Sequence, residues 1–183
     1  MSDKPLRADA RRNRELVLAA ARDLLAVDGA AVSFDAIARA AGVGVGTVYR
    51  HFPDRQALFA AVVLDRIVTF TSDARAATSA NDPGAEFIAF FDRLAKQVAL
   101  NQALCDAMDG GMLVPDDLRA EFLAALAALL DRAQEAGAIR TDLDVTDLLD
   151  LVIGVAAAAR RGRPDRILAI ATAGLQAQVK PVP

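Results

Sequence analysis

With 183 residues, of which 54% are hydrophobic but only 5% aromatic and none is Trp, the chain can bury a sizeable core and favours α-helices over aromatic-rich sheets. One Cys and one His leave no internal disulfide and no multi-ligand Cys/His metal centre, so neither metal nor cofactor is expected. The net charge of -3 argues against a protein that coats nucleic acid indiscriminately, yet it hides an asymmetry: nine basic and seven acidic residues through Arg55, twelve and seventeen after it.

The first fourteen residues are polar and Arg-rich, with no apolar run behind them, so no secretory leader is expected and a cytoplasmic location is. Residues 1–10 read as a flexible arm. Leu16, Ala20, Leu24, Leu25 and Val27 then recur at helical spacing, and Asp28-Gly29 ends this first helix, expected over residues 11–27. Ser33 is a plausible N-cap for a short second helix, whose Phe34, Ile37, Ala38 and Ala41 form one apolar stripe before Gly42 stops it. A third begins at Gly44, carries Val48 and Phe52 four apart, and closes at Pro53, which cannot continue the hydrogen-bond ladder.

Asp54 caps a long fourth helix reaching Ala77, with Leu58, Phe59, Val62, Val63, Ile67 and Phe70 on its stripe. The Asn81-Asp82-Pro83-Gly84 run breaks it. Further helices are expected over residues 85–100, 103–109, 115–136 and 145–159, and a last one from about Arg163-Pro164, separated by Gly110-Gly111, Gly137 and Gly162. The longest apolar run, from Leu151, stops at Ala159, well below the ~18 residues a membrane span needs. The fold class is therefore all-α, with a helix-turn-helix over 11–54 and a larger helical domain over 55–183.

Two short helices joined by a glycine turn are the arrangement that lays a second helix in the DNA major groove, though a glycine turn between helices also occurs in proteins that bind no DNA. If Val43, Val48 and Phe52 face inward, Val45, Thr47, Tyr49, Arg50 and His51 lie outward, a mixture suited to phosphates and base edges. More specific is the run from Phe34 to Phe59, FDAIARAAGVGVGTVYRHFPDRQALF, which closely resembles the DNA-binding signature of the TetR family. The resemblance extends upstream through AARDLL, Ala20 to Leu25, and Gly29, covering roughly residues 12–65. It implies that Thr47, Tyr49 and His51 hold the DNA backbone and that Arg55 binds phosphate. Ser33 and Gly44 complete the expected DNA-facing set. Where family members often carry Ser or Thr followed by a longer polar residue, this chain has Gly44-Val45, which leaves apolar reading of a thymine methyl at that point. Arg50 is a candidate for guanine, and Arg7, Arg11 and Arg12 for a minor groove or phosphates.

For the larger domain the resemblance implies an effector cavity and a dimer face. Phe70, Phe87, Phe91, Cys105, Met108, Met112 and Phe122 are the candidate cavity residues, although the same spacing suits an ordinary packed core. Asn101, Gln102, Asp106 and Asp109 are polar groups that would orient a ligand. Leu148, Leu151, Val152, Val155, Ile167, Ile170 and Leu175, interleaved with Gly and Ala, are the expected homodimer interface. No catalytic constellation is present, so the expectation is a regulator and not an enzyme: a repressor released from a pseudo-palindromic double-stranded operator by a small-molecule effector.

Overall fold

The computed structural model describes residues 4–28, 31–100, 114–159 and 164–177, and these contain eight helices and no strand beyond one isolated bridge. The helices are α1 (Lys4–Asp28), α2 (Phe34–Ala41), α3 (Val45–His51), α4 (Arg55–Ala77), α5 (Pro83–Leu100), α6 (Asp116–Glu135), α7 (Val145–Ala159) and α8 (Pro164–Leu175). The expected helix at 103–109 lies outside the described residues. The chain divides into two compact units between Asp65 and Arg66.

In the first unit α1 packs on α2 and α3, and α2 on α3. Val17, Leu18, Ala21 and Leu25 of α1 close over Phe34, Ile37, Ala38, Val48 and Phe52, and Leu58 and Val62 of α4 complete the core. This is why the unit runs to Asp65, beyond the expected boundary at 54: the start of α4 supplies core side chains. An ion pair between Arg22 and Asp65, 2.9 Å apart and half-buried, fastens α1 to the same helix. α1 begins at Lys4, inside the stretch expected to be an arm, and Pro5 falls in its first turn, where a missing N–H disturbs no ladder.

In the second unit α5 is the central helix, packed against α6, α7 and α8, and α7 contacts both α6 and α8. Phe87, Phe90, Phe91, Leu94 and Val98 of α5, Leu126 and Leu129 of α6, and Leu148, Val152 and Ala156 of α7 are all buried where these helices pack together. Asp82 caps α5 by accepting from the Ala85 N–H at 2.9 Å. Gly84 in that first turn is required by space, since a Cβ there would stand 2.3 Å from the Cβ of Ala138. Asp144 caps α7 by accepting from the Thr146 and Asp147 amides, which hold its carboxyl below the usual carboxylate range. The Ile139–Gln176 bridge, with Arg140 N–H donating to Leu175 and Ala177 N–H to Ala138, ties the end of α8 to the turn after α6.

Candidate nucleic-acid interface

The turn between α2 and α3 is built from three local requirements. Ser33, extended at φ -91° and ψ 154°, accepts from the Ala36 N–H at 3.2 Å and so starts α2. Gly42 ends it in the left-handed region at φ 68°, which residues with a Cβ avoid, and the Gly42 and Val43 amides donate back to Arg39 and Ala38. Gly44 then starts α3, its carbonyl accepting from Thr47 at 2.8 Å. The inward face of α3 is Val48, fully buried, followed by Phe52 at the C-cap.

The opposite face is open. Val45, Gly46, Tyr49 and Arg50 are exposed, and Thr47 and His51 half-exposed. Tyr49 keeps 55% of its surface exposed while its ring rests against Phe34, centroids 4.8 Å apart. That contact limits the rotamers of a side chain whose hydroxyl is a neutral phosphate donor. Arg55, the first residue of α4, is exposed and stands over the Phe59 ring at 5.5 Å, while Asp54 caps α4 by accepting from Ala57 at 2.7 Å. Of the expected DNA-facing set, Gly44, Val45, Thr47, Tyr49, Arg50, His51 and Arg55 thus follow one another along α3 and the start of α4. Ser33 stands apart from them in sequence as the cap of α2.

His51 is more constrained than the sequence suggests. Its Nε2 is sealed from solvent without a hydrogen-bond partner, so a phosphate contact falls to Nδ1 or follows a turn of the ring. Burial, then Arg50 and Arg14, hold its pKa below the usual value of 6.5, which leaves the ring neutral at pH 7. Sequence reasoning passed over Arg14, whose guanidinium lies 5.3 Å from the Phe52 ring centroid. The signal was its spacing of three and seven from Arg11 and Arg7.

In the second unit, Phe70, Phe87, Phe91 and Phe122 are buried in close packing, and Phe70 meets Phe90 edge-on at 6.0 Å. Cys105, Met108, Met112, Asn101, Gln102, Asp106 and Asp109 lie outside the described residues. An open groove of about 420 Å³, lined by Asp73, Ala76, Ala77, Ala80, Glu86 and Arg93, involves none of the expected cavity residues. Gln97 of α5, not singled out by sequence, has an Nε2 sealed from solvent with no partner. Its signal was its spacing of three from Leu94, on the apolar stripe of α5.

The expected dimer set divides. Leu148, Val152, Val155 and Leu175 are buried within the subunit. Helix periodicity had marked the apolar stripe, but the stripe meets its own core. Leu151 and Ile167 are half-buried, and Ile170 is 59% exposed. Beside them Gly154, Ala169, Ala173 and Gly174 are exposed, and a Cβ on either glycine would meet nothing within 4 Å.

A family model described as bacterial regulatory proteins, tetR family, matches residues 17–62, and one described as transcriptional regulator SbtR-like, C-terminal domain, matches residues 82–177. No curated protein sequence matches the chain. Among solved structures it is similar to the TetR transcription regulatory protein from Mycobacterium vanbaalenii, with 40% identity, TM-score 0.70, and coverage of 94% of this chain and 99% of that one. It is also similar to the TetR transcriptional regulator SCO0520 from Streptomyces coelicolor, with 29% identity, TM-score 0.71, and coverage of 91% and 99%. The fold is shared with the TetR-like regulator LfrR from Mycobacterium smegmatis, solved in complex with proflavine, at 24% identity, TM-score 0.61, and coverage of 90% and 97%. Two family models that between them reach from residue 17 to residue 177, and a 40% identical relative matched over nearly its whole length, place the open face of α3 in context: the chain belongs to the TetR family of DNA-binding transcriptional regulators.

Proposed function

We propose that the protein is a homodimeric repressor that occupies a pseudo-palindromic operator and leaves it when a small molecule binds the second unit. The observation that carries the DNA half of this reading is the exposed Tyr49, Arg50 and Arg55 beside a buried Val48, because a recognition helix must anchor one face and spend the other on the duplex. Thr47, Tyr49 and Arg55 supply phosphate contacts that fix register, and Val45 and Arg50 read base edges. Ser33 contributes by holding α2. The family's character is that of a transcription factor, and no catalytic role is proposed.

A second copy is proposed to cover Ile170, Ile167 and Leu151. Gly154 supports this, since neither its backbone angles nor its neighbours within the subunit require glycine, and a glycine in a helix interior is destabilising by about 1 kcal/mol relative to Ala. Two-fold symmetry then presents paired α3 helices to half-sites about one helical turn apart. For release, α4 is the proposed lever: a single helix that begins at Arg55 and continues to Phe70 in the second unit, where the effector is proposed to bind near Phe70, Phe87, Phe91, Phe122 and the segment holding Cys105, Met108 and Met112. That LfrR was solved with proflavine motivates a search among planar organic molecules. An effector lowers operator affinity only by binding the released state more tightly than the bound one.

The test is selection of bound fragments from genomic DNA, followed by affinity measurements on the recovered duplex with Tyr49→Phe and Arg55→Gln, and with candidate effectors. Each variant is expected to weaken the wild-type affinity. A wild type that shows no salt-sensitive preference for any genomic sequence refutes the DNA reading, and ligands that bind without altering operator affinity refute the release mechanism.

A further inference from the structure

The groove between the end of α4 and the start of α5 is lined by two kinds of chemistry. On the α4 side Ala76, Ala77 and, in the turn beyond, Ala80 present only methyl groups, which leaves about 420 Å³ open where longer side chains would fill the space. From α5 come Glu86 and Arg93, two turns apart, with the Arg93 guanidinium donating to Oε1 of Glu86 at 3.3 Å. The same guanidinium lies 5.9 Å from the ring centroid of Phe90, so its charge is engaged from α5 itself. Phe90 in turn meets Phe70 edge-on, joining α5 to α4 one turn before Asp73.

Asp73 completes the lining, and its carboxylate is the uncommitted one. Asp82 caps α5, Glu86 takes Arg93, and Asp92 takes Lys96 at 2.9 Å. Arg75, the nearest cation to Asp73 along α4, is drawn to Glu121 of α6 at 3.1 Å. Among the described residues no ion pair reaches Asp73. An acceptor-only group is thus left at the edge of an apolar hollow with no donor of its own.

We infer that this groove binds an aliphatic diammonium ion of the polyamine class. One ammonium donates to Asp73. The other donates to the carboxylate oxygen of Glu86 that Arg93 does not take, and the methylene chain between them lies on the three alanines. Two carboxylates against one guanidinium leave the lining negative, which disfavours an anion. None of the described lining residues is aromatic, so a flat or quaternary cation finds neither a stacking face nor a cation–π cage. The site shares no residue with the proposed effector cavity, and it stands apart from both the DNA reading and the release mechanism.

The experiment titrates spermidine into the isotope-labelled full chain at low salt and follows backbone amide shifts by magnetic resonance. Wild type is compared with Asp73→Asn, with Ala76→Leu, and with the control Asp131→Asn, which makes the same change of charge at an exposed carboxylate of α6. Saturable shifts centred on residues 73–93 are expected in the wild type, weakening as salt is added. Asp73→Asn is expected to lower the affinity about three- to fivefold, the scale of one exposed charge pair. Ala76→Leu, which fills the groove without altering charge, is expected to remove saturation while amides elsewhere keep their positions. Asp131→Asn is expected to bind as the wild type does, and the dianion glutarate to give no saturable shift. Absence of saturable shifts in the wild type overturns the inference. So does an equal loss in Asp131→Asn, the mark of diffuse attraction to an acidic surface, or an unchanged affinity in either groove variant.

Discussion

Replacing Gly154 by Ala separates what the subunit needs from what a partner needs. Gly154 sits ten residues into the fifteen-residue α7, is exposed, has no positive φ, and a Cβ there would meet nothing within 4 Å. Within one subunit the change therefore removes only the entropic cost of a helical glycine, about 1 kcal/mol, and raises the melting temperature by about 2–4 °C for a chain of this length. If a second copy packs against that bare backbone, symmetry introduces the methyl twice, and overpacking at about 1 kcal/mol or more per site weakens association by about 2 kcal/mol, roughly 30-fold. Sedimentation across a dilution series reads the association, and thermal melts at the lowest concentration read the subunit. The reasoning is refuted if Gly154→Ala raises the melting temperature and leaves the association constant where it was, because the glycine then serves no partner.

The same substitution at Gly84 is expected to act with opposite sign on the fold, costing about 1–3 kcal/mol in urea denaturation, since the new Cβ would collide with Ala138. Ser33→Ala removes the cap of α2 and is expected to cost about 1 kcal/mol by the same assay, with Ser33→Asp restoring it; an unchanged midpoint would count against the cap. For His51, a native pKa held below 6.5 means the unfolded chain takes up this proton first as pH falls, so stability contributed by the neutral ring is present above pH 6.5 and lost on acidification through it. Melting temperatures between pH 8 and 5.5 are accordingly expected to fall less steeply in His51→Gln than in the wild type, and parallel curves would contradict that.

The helix-turn-helix was legible in the sequence because its determinants are local. A serine cap, a stripe at three and four, Gly42 at a left-handed position and Val48 four before Phe52 each act within a few residues, and the family signature added the direction of the outer face. The start of α1 was not legible, since Lys4–Arg14 carries charges where periodicity is sought in apolar side chains, and the helix is announced only by the absence of a breaker after Pro5. In α7 the difficulty was different: apolar residues surround most of the helix, so sequence alone did not say that Leu148, Val152 and Val155 are buried within the subunit while Gly154 is exposed. The aromatic residues of α5 posed the same ambiguity. Phe87 and Phe91 fill the core, and spacing alone does not separate a filled interior from one with room for a guest.

The sole tyrosine of this chain, in a protein with no tryptophan, is the half-exposed ring on α3 that leans on Phe34, and the sole histidine is its neighbour but one. Intrinsic emission from the whole molecule consequently originates at its proposed point of contact with the duplex, and the imidazole signals of a magnetic-resonance spectrum arise from the same few ångströms. Docking can be followed, and its midpoint titrated, on the unlabelled native chain, with the reporter already seated where the event takes place.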